Sequence, residues 1–260
     1  MSGRGRMVVL AVGLLGVAAL YVAGTHAIPG FGHYRGPYGD VINAHGVDER
    51  HVTDMVTAIN FDVRGLDTLG EEFILFVSAT AVAVVLRRAA SEHAREQEPD
   101  EQEDEADPRR APPTSPAVQL LCLVMVAPTV LVGIDIAAHG QLTPGGGFQG
   151  GIILATALLL VYLSGGYRRM RRIGPVTLVE LGEAAGAGGF VAVGIAALIC
   201  CGAAFLTDVL PLGTTGSLVS GGTITVISVL IGVEVAGSVM LIATEFLEQA
   251  LEIRGPERQR

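Results

Sequence analysis

The chain has 260 residues, is 50% hydrophobic with a mean hydropathy of +0.52, and carries a formal net charge of −9. A soluble globular protein is excluded, because uncharged runs long enough to cross a bilayer as helices recur along the sequence. The negative charge is mostly local: nine acids and a single base, Arg95, fall between Glu92 and Asp107, and the remaining acids and bases nearly balance.

Six apolar runs qualify as transmembrane helices, at about 7–28, 72–86, 117–138, 147–163, 184–206 and 218–243. The expected fold is therefore an all-α polytopic membrane protein in two modules of two and four helices. Arg4 and Arg6 precede the first run, which is longer than the apolar core of a usual secretory signal, so a retained helix is expected. Arg87 and Arg88, Arg109 and Arg110, the cluster from Arg168 to Arg172, and Arg254 to Arg260 all fall on one side if six helices alternate. The positive-inside rule then puts both termini in the cytoplasm. Residues 91–116 combine the acidic run with Pro108, Pro112, Pro113 and Pro116. They read as a disordered cytoplasmic linker between an element over 1–90 and a domain over 117–250.

Between the first two runs lies a Gly-rich loop with His33, His45 and His51, whose spacing matches no metal-ligand pattern. Asp67 and Glu71, four apart, share a face if the second helix begins early. They suit either a helix start, where acids complement the macrodipole, or an ion path. Asp135 stands near the end of the third run, Glu180 and Glu183 enter the fifth, and Glu234 lies deep in the sixth. A carboxyl at that depth costs several kcal/mol unless protonated, hydrated or paired. Asp135, Glu183 and Glu234, with Asp67 and Glu71, are the ion-path candidates.

The stretch Pro144, Gly145, Gly146, Gly147, Phe148, Gln149, Gly150, Gly151 opens the fourth run. It lacks the Lys and Ser/Thr of a phosphate loop. Its glycines either let helices approach closely or leave backbone groups facing an ion. Pro211 and the pair Gly221 and Gly222 mark a second Gly-rich entrance on the same side. Cys122, Cys200 and Cys201 have no redox or metal spacing and read as buried packing residues. No catalytic constellation and no cofactor fingerprint is present, so a transporter component rather than an enzyme is expected, with no cofactor and no metal site.

Residues 139–163, with the Thr143 to Ile152 core, resemble the signature of the B subunit (MnhB/MrpB) of Mrp-type multisubunit Na+/H+ antiporters. The segments 211–213, 220–223 and 232–236 continue that resemblance. Separately, residues 57–86 resemble the two-helix element at the C-terminal end of the large, A-type antiporter subunit, which is a separate, MbhE-like subunit in related membrane-bound hydrogenases. The resemblance implies a fusion of the two. The family's lysine-relay subunits conduct protons, but all seventeen bases here are Arg. The chain should therefore be an accessory part of a sodium- and proton-conducting membrane arm in the cell membrane. Its expected partners are other membrane subunits, Na+, H+ and the lipid bilayer, with no nucleic acid. A subunit of a redox-driven, hydrogenase-like complex and a purely structural assembly role are the alternatives.

Overall fold

A computed structural model describes residues 3–28, 37–86, 115–202 and 205–254. In chain order the elements are α1 (Gly3–Ala27), α2 (Pro37–Ala44), a π-helical turn (His45–Glu49), α3 (Met55–Ala58), a second π-helical turn (Ile59–Val63), α4 (Gly65–Leu86), α5 (Pro116–Ala138), α6 (Gly147–Ile173), α7 (Val176–Cys201) and α8 (Thr223–Arg254). All regular structure among the described residues is helical. Six of these helices, α1 and α4 to α8, are long and apolar enough to span a membrane.

The chain divides between Val41 and Ile42 into two compact units. The first holds α1. The second runs from Ile42 onward, so residues 42–86 share one body with the four C-terminal helices. The boundary thus falls inside the stretch expected as one element over 1–90. Of the expected linker only Ser115 and Pro116 lie among the described residues, and they start α5. Ser115 Oγ accepts from the Val118 N–H at 3.4 Å, with Pro116 in the first turn where its missing N–H costs nothing.

Within the second unit α8 is the central helix, packed against α4, α5, α6 and α7. Its Ile227, Ile231 and Val235 are fully enclosed with Phe190 of α7, and Val52, Ala58 and Phe61 from the segment before α4 join the same core. A second core gathers Ala155, Val161 and Tyr162 of α6 with Met240 of α8. The loops 139–146 and 205–222 and the segment 42–64 meet at one end of the bundle, the loop-bearing face. His51 Nδ1 lies 2.6 Å from the Gly213 carbonyl oxygen, the Thr53 N–H donates to Gln141 O at 3.0 Å, and Gln141 Nε2 donates to Leu218 O at 2.8 Å.

The Gly-rich mouth of α6 resolves as a packing device. A methyl group at Gly147 would run into the Ser228 carbonyl oxygen of α8. At Gly151 it would lie 2.7 Å from Gly232 O of α8, and at Gly150 2.6 Å from Gly133 O of α5. Three backbones therefore meet at distances only glycine permits, where lipid gives apolar side chains little extra reason to associate. Pro144 and Phe148 are exposed, and Gly145 and Gly146 turn the chain into the helix with positive φ.

Several boundaries differ from expectation. α4 begins at Gly65, seven residues before the expected 72, because Gly65 and Thr68 are buried against the rest of the protein and hold the first turns without an apolar run. α7 begins at Val176 rather than 184 and takes in both Glu180 and Glu183. α6 is broken at Gly166 (φ 79°, ψ 178°), so its unbroken part ends close to the expected 163 and the arginines follow the break. α8 starts at Thr223 rather than 218, since Gly221 and Gly222 adopt φ of 79° and 49° and hold a turn. Cys122 is buried, but Cys200 is exposed near the end of α7, contrary to the packing role expected of it.

Candidate functional site

Three carboxyl side chains are enclosed in the bundle: Glu72 on α4, Glu183 on α7 and Glu234 on α8, at 3%, 3% and 0% exposure. Among the described residues, both oxygens of Glu234 and Oε2 of Glu72 have no hydrogen-bond partner. Glu183 Oε1 accepts from Ser238 Oγ at 2.8 Å, a bond buried between α7 and α8. Glu72 and Glu183 both lie close enough to act electrostatically on Glu234, which makes it the middle member of the set.

Helix pitch gives their depths. At 1.5 Å per residue, Glu72 stands about 10 Å below the start of α4 and Glu234 about 16 Å below the start of α8. Glu183 sits against Gly237, about 21 Å below the same end of α8 by the same rise. The three carboxyls thus step through the membrane-spanning part of the bundle from the loop-bearing face toward the other.

Two glycines make the arrangement possible. A methyl at Gly186 of α7 would fall 2.5 Å from Glu234 Cβ and 2.6 Å from Leu230 O; one at Gly237 of α8 would fall 2.9 Å from Glu183 Cβ and from Val179 O. Each acid's stem lies over the other helix's glycine. The close crossing of α7 and α8 therefore fixes both carboxyls and excludes bulk that would cover them. A carboxyl enclosed without donors binds a proton or a cation far more readily than it stays a bare anion.

The sequence-derived candidates separate sharply. Glu183 and Glu234 belong to the column. Glu71 is exposed, Asp67 pairs with Arg64, and Asp135 is exposed and pairs with His139 at 2.9 Å. None of these three joins the column. Glu72 and Ser238 were missed. For Glu72 a signal existed: Gly65, Thr68, Glu72 and Ala79 form the buried stripe of α4 at helical spacing. The apolar run that defined the helix simply began at Glu72 itself. Of the motif positions, Gly147, Gly150 and Gly151 pack helices, Gly221 and Gly222 shape the turn before α8, and Pro211 is exposed.

Residues 117–241 match the family described as a domain related to the MnhB subunit of Na+/H+ antiporter. Over those residues the chain carries an MnhB-like domain. It is 30% identical over 165 residues to an uncharacterized protein of Methanocaldococcus jannaschii, covering 60% of this chain and 63% of that one. It is 31% identical over 143 residues to a probable K+/H+ antiporter A/B subunit of Rhizobium meliloti, covering 50% of this chain and 14% of the relative. The chain thus spans less than two thirds of the length of these curated relatives. Among solved structures, a chain of the membrane-bound sulfane sulfur reductase, an archaeal respiratory membrane complex, superposes with a TM-score of 0.70 at 29% identity, covering 92% of this chain and 97% of that one. A chain of the Mrp complex from Dietzia sp. DQ12-45-1b shares the fold with a TM-score of 0.70 at 23% identity, over 94% of this chain and 26% of that one. The MnhB-like domain contributes two members of the column, Glu183 and Glu234. Glu72 comes from the segment ahead of it.

Proposed function

We propose that this chain is an accessory subunit of a multisubunit monovalent cation/proton antiporter of the cell membrane, and that Glu72, Glu234 and Glu183 line its ion path. The observation that carries this reading is Glu234, fully enclosed, without a donor on either oxygen, between two further buried acids. Residues that only hold helices together need no such group, and an apolar side chain of similar size would stabilise the core better. In the proposed role each carboxyl takes up a proton or a dehydrated cation and passes it to the next. Glu183, held by Ser238, is the fixed end toward the face opposite the loops.

The cation is Na+ or K+. The family description names the first and the Rhizobium meliloti relative the second. Topology follows the arginine distribution, with both termini cytoplasmic and the loop-bearing face outside. The segment that supplies Glu72 corresponds in this reading to the C-terminal element of the large, A-type antiporter subunit, fused ahead of the MnhB-like domain. The combined A/B designation of the relative supports that fusion. In everted vesicles holding the assembled complex, Glu234→Gln should lower cation-driven proton movement at least tenfold while the chain stays in the complex. Undiminished exchange by that variant rules the column out as a path.

A second reading is favoured by the sulfane sulfur reductase chain, which matches nearly end to end at 29% identity. There the same ion path would serve a complex driven by electron transfer. Purification in mild detergent separates the two: iron–sulfur subunits that accompany the chain favour the second, and their absence with other antiporter subunits present favours the first.

A further inference from the structure

The end of the bundle opposite the loops carries a basic turn that the transport reading does not use. Four of the seventeen arginines, Arg168, Arg169, Arg171 and Arg172, fall within five residues just past the break at Gly166. Length places that break at the bilayer edge. From Gly147 to Gly165 the helix rises about 28 Å, close to the roughly 30 Å of the hydrocarbon core, whereas α6 continued straight to Ile173 would rise about 40 Å. The chain does not run on into water after the break. Gly174 faces Leu158, and a methyl group there would lie 3.3 Å from Leu158 Cδ1. A straight helix would part those two residues by about 24 Å, so the turn folds back along the bundle.

Tyr167 and Met170 are buried in the core that also holds Val161 and Met240, which fixes the turn in place. Arg168, Arg169 and Arg172 are exposed on its other side. The four guanidinium groups are not equivalent. Arg171 lies over the Tyr167 ring, 5.7 Å from its centroid. Arg169 and Arg172, three apart and so neighbours on one side of the turn, enter no ion pair among the described residues. Arg169 lies back across the break: its Cδ, Nε and Nη1 stand 2.5, 2.8 and 2.8 Å from where a Gly165 methyl group would be. Gly165 therefore leaves room that the guanidinium fills, at the last turn of the span. A guanidinium keeps its charge, and at the hydrocarbon edge that charge needs an anion.

We propose that this turn binds the phosphate of an anionic membrane lipid. Arg169 and Arg172 are its ligands, and Gly165 is the clearance that lets Arg169 reach it. The occupant follows from position and charge. Lipid phosphates form the layer at which the unbroken part of α6 ends, and a guanidinium fork suits a phosphate, which accepts two N–H bonds side by side. A headgroup with net negative charge strengthens the attraction that each arginine feels at that surface. The site holds under either functional reading, and its test does not read transport.

The experiment places the assembled complex in lipid nanodiscs with a trace of photoactivatable phosphatidylglycerol or, separately, phosphatidylcholine of the same acyl chains. Labelled peptides are mapped by mass spectrometry and normalised to the amount of the chain in the complex. The anionic probe should label residues 164–174 more strongly than the zwitterionic one, by about fivefold for each arginine engaged. Arg169→Gln combined with Arg172→Gln should bring the two probes level. Arg64→Gln, on the loop-bearing face, should leave the preference as in the wild type. Gly165→Leu keeps every arginine but takes the room of the Arg169 guanidinium, and should lose about fivefold. Equal labelling of the wild type, or a preference that survives the double variant, overturns the site. A preference untouched by Gly165→Leu reduces it to diffuse surface charge and overturns the built site. Weaker labelling in inorganic phosphate than in chloride at equal ionic strength would assign the turn to a soluble anion. Stronger labelling once the nine acids between Glu92 and Asp107 are replaced by their amides would assign it to that run of this chain. Either result overturns the lipid.

Discussion

At the loop-bearing face Asp62 sits between His45 and Arg50 with its oxygen bonded to both, whereas in the bundle Glu234 is fully enclosed and neither of its oxygens meets a donor. The two acids have similar surroundings in one respect: each is placed by the meeting of elements distant in the chain. They differ in what those elements supply. The turns around Asp62 bring the Arg50 guanidinium and the His45 ring, so its oxygen finds partners within the molecule. The crossing of α7 and α8 brings Glu234 glycine, apolar side chains and the carboxyl of Glu183, and α4 adds that of Glu72. A polar group that is paired serves the architecture; one left enclosed and unpaired is costly to the architecture and calls for something from outside it.

The contrast can be broken most forcefully at the crossing itself. Gly186→Leu would drive a side chain into Leu230 O and the Glu234 backbone, so the chain should be lost from the complex, as read by its level in purified membranes. Gly188→Leu, two residues further along the same helix with nothing within 4 Å of its β position, should assemble normally. A Gly186→Leu chain that assembles and transports would show that the close approach is dispensable. Next in size is Glu72→Gln. It should assemble, yet lose cation-driven proton movement by about tenfold, the factor that about 1.4 kcal/mol gives to any rate.

Ser238→Ala comes third. It removes the hydroxyl that donates to Glu183 without touching Glu234, so exchange should drop severalfold and recover in Ser238→Thr, which restores the hydroxyl. An equal loss in both variants would mean that the site senses bulk and not the bond. The smallest effects belong to the acids outside the column. Asp67→Asn, Glu71→Gln and Asp135→Asn should each stay within about twofold of wild type, because exposed ion pairs are worth only about 0–1 kcal/mol. A tenfold loss in Asp135→Asn would place the path along α5 instead.

How much of this was legible in the sequence depends on how local the cause is. Spans such as 117–138 read correctly because bilayer thickness acts on each run separately. Glu183 and Glu234 stood out because their neighbours are apolar on both sides in sequence. Glu72 did not, since a start at Gly65 had to be known before its face could be assigned, and that start is fixed by the second π-helical turn and by Leu206, whose side chain packs over Gly65. Asp135 shows the converse. It stands near the end of an apolar run, and α5 turns it outward to His139, a partner at four residues' spacing. The bond between His45 and Asp62 spans 17 residues and two π-helical turns, and no periodicity in the chain announces it.

The central claim is that the three buried carboxyls act as one path. It is tested most directly by comparing cation-driven proton movement in assembled complexes bearing Glu234→Gln alone and Glu72→Gln, Glu183→Gln and Glu234→Gln together. If the acids work as a unit, removing the middle one already removes the path, and the triple variant should be no slower than the single. Losses that multiply from one acid to the next, or a single variant that transports at the wild-type rate, would contradict the account.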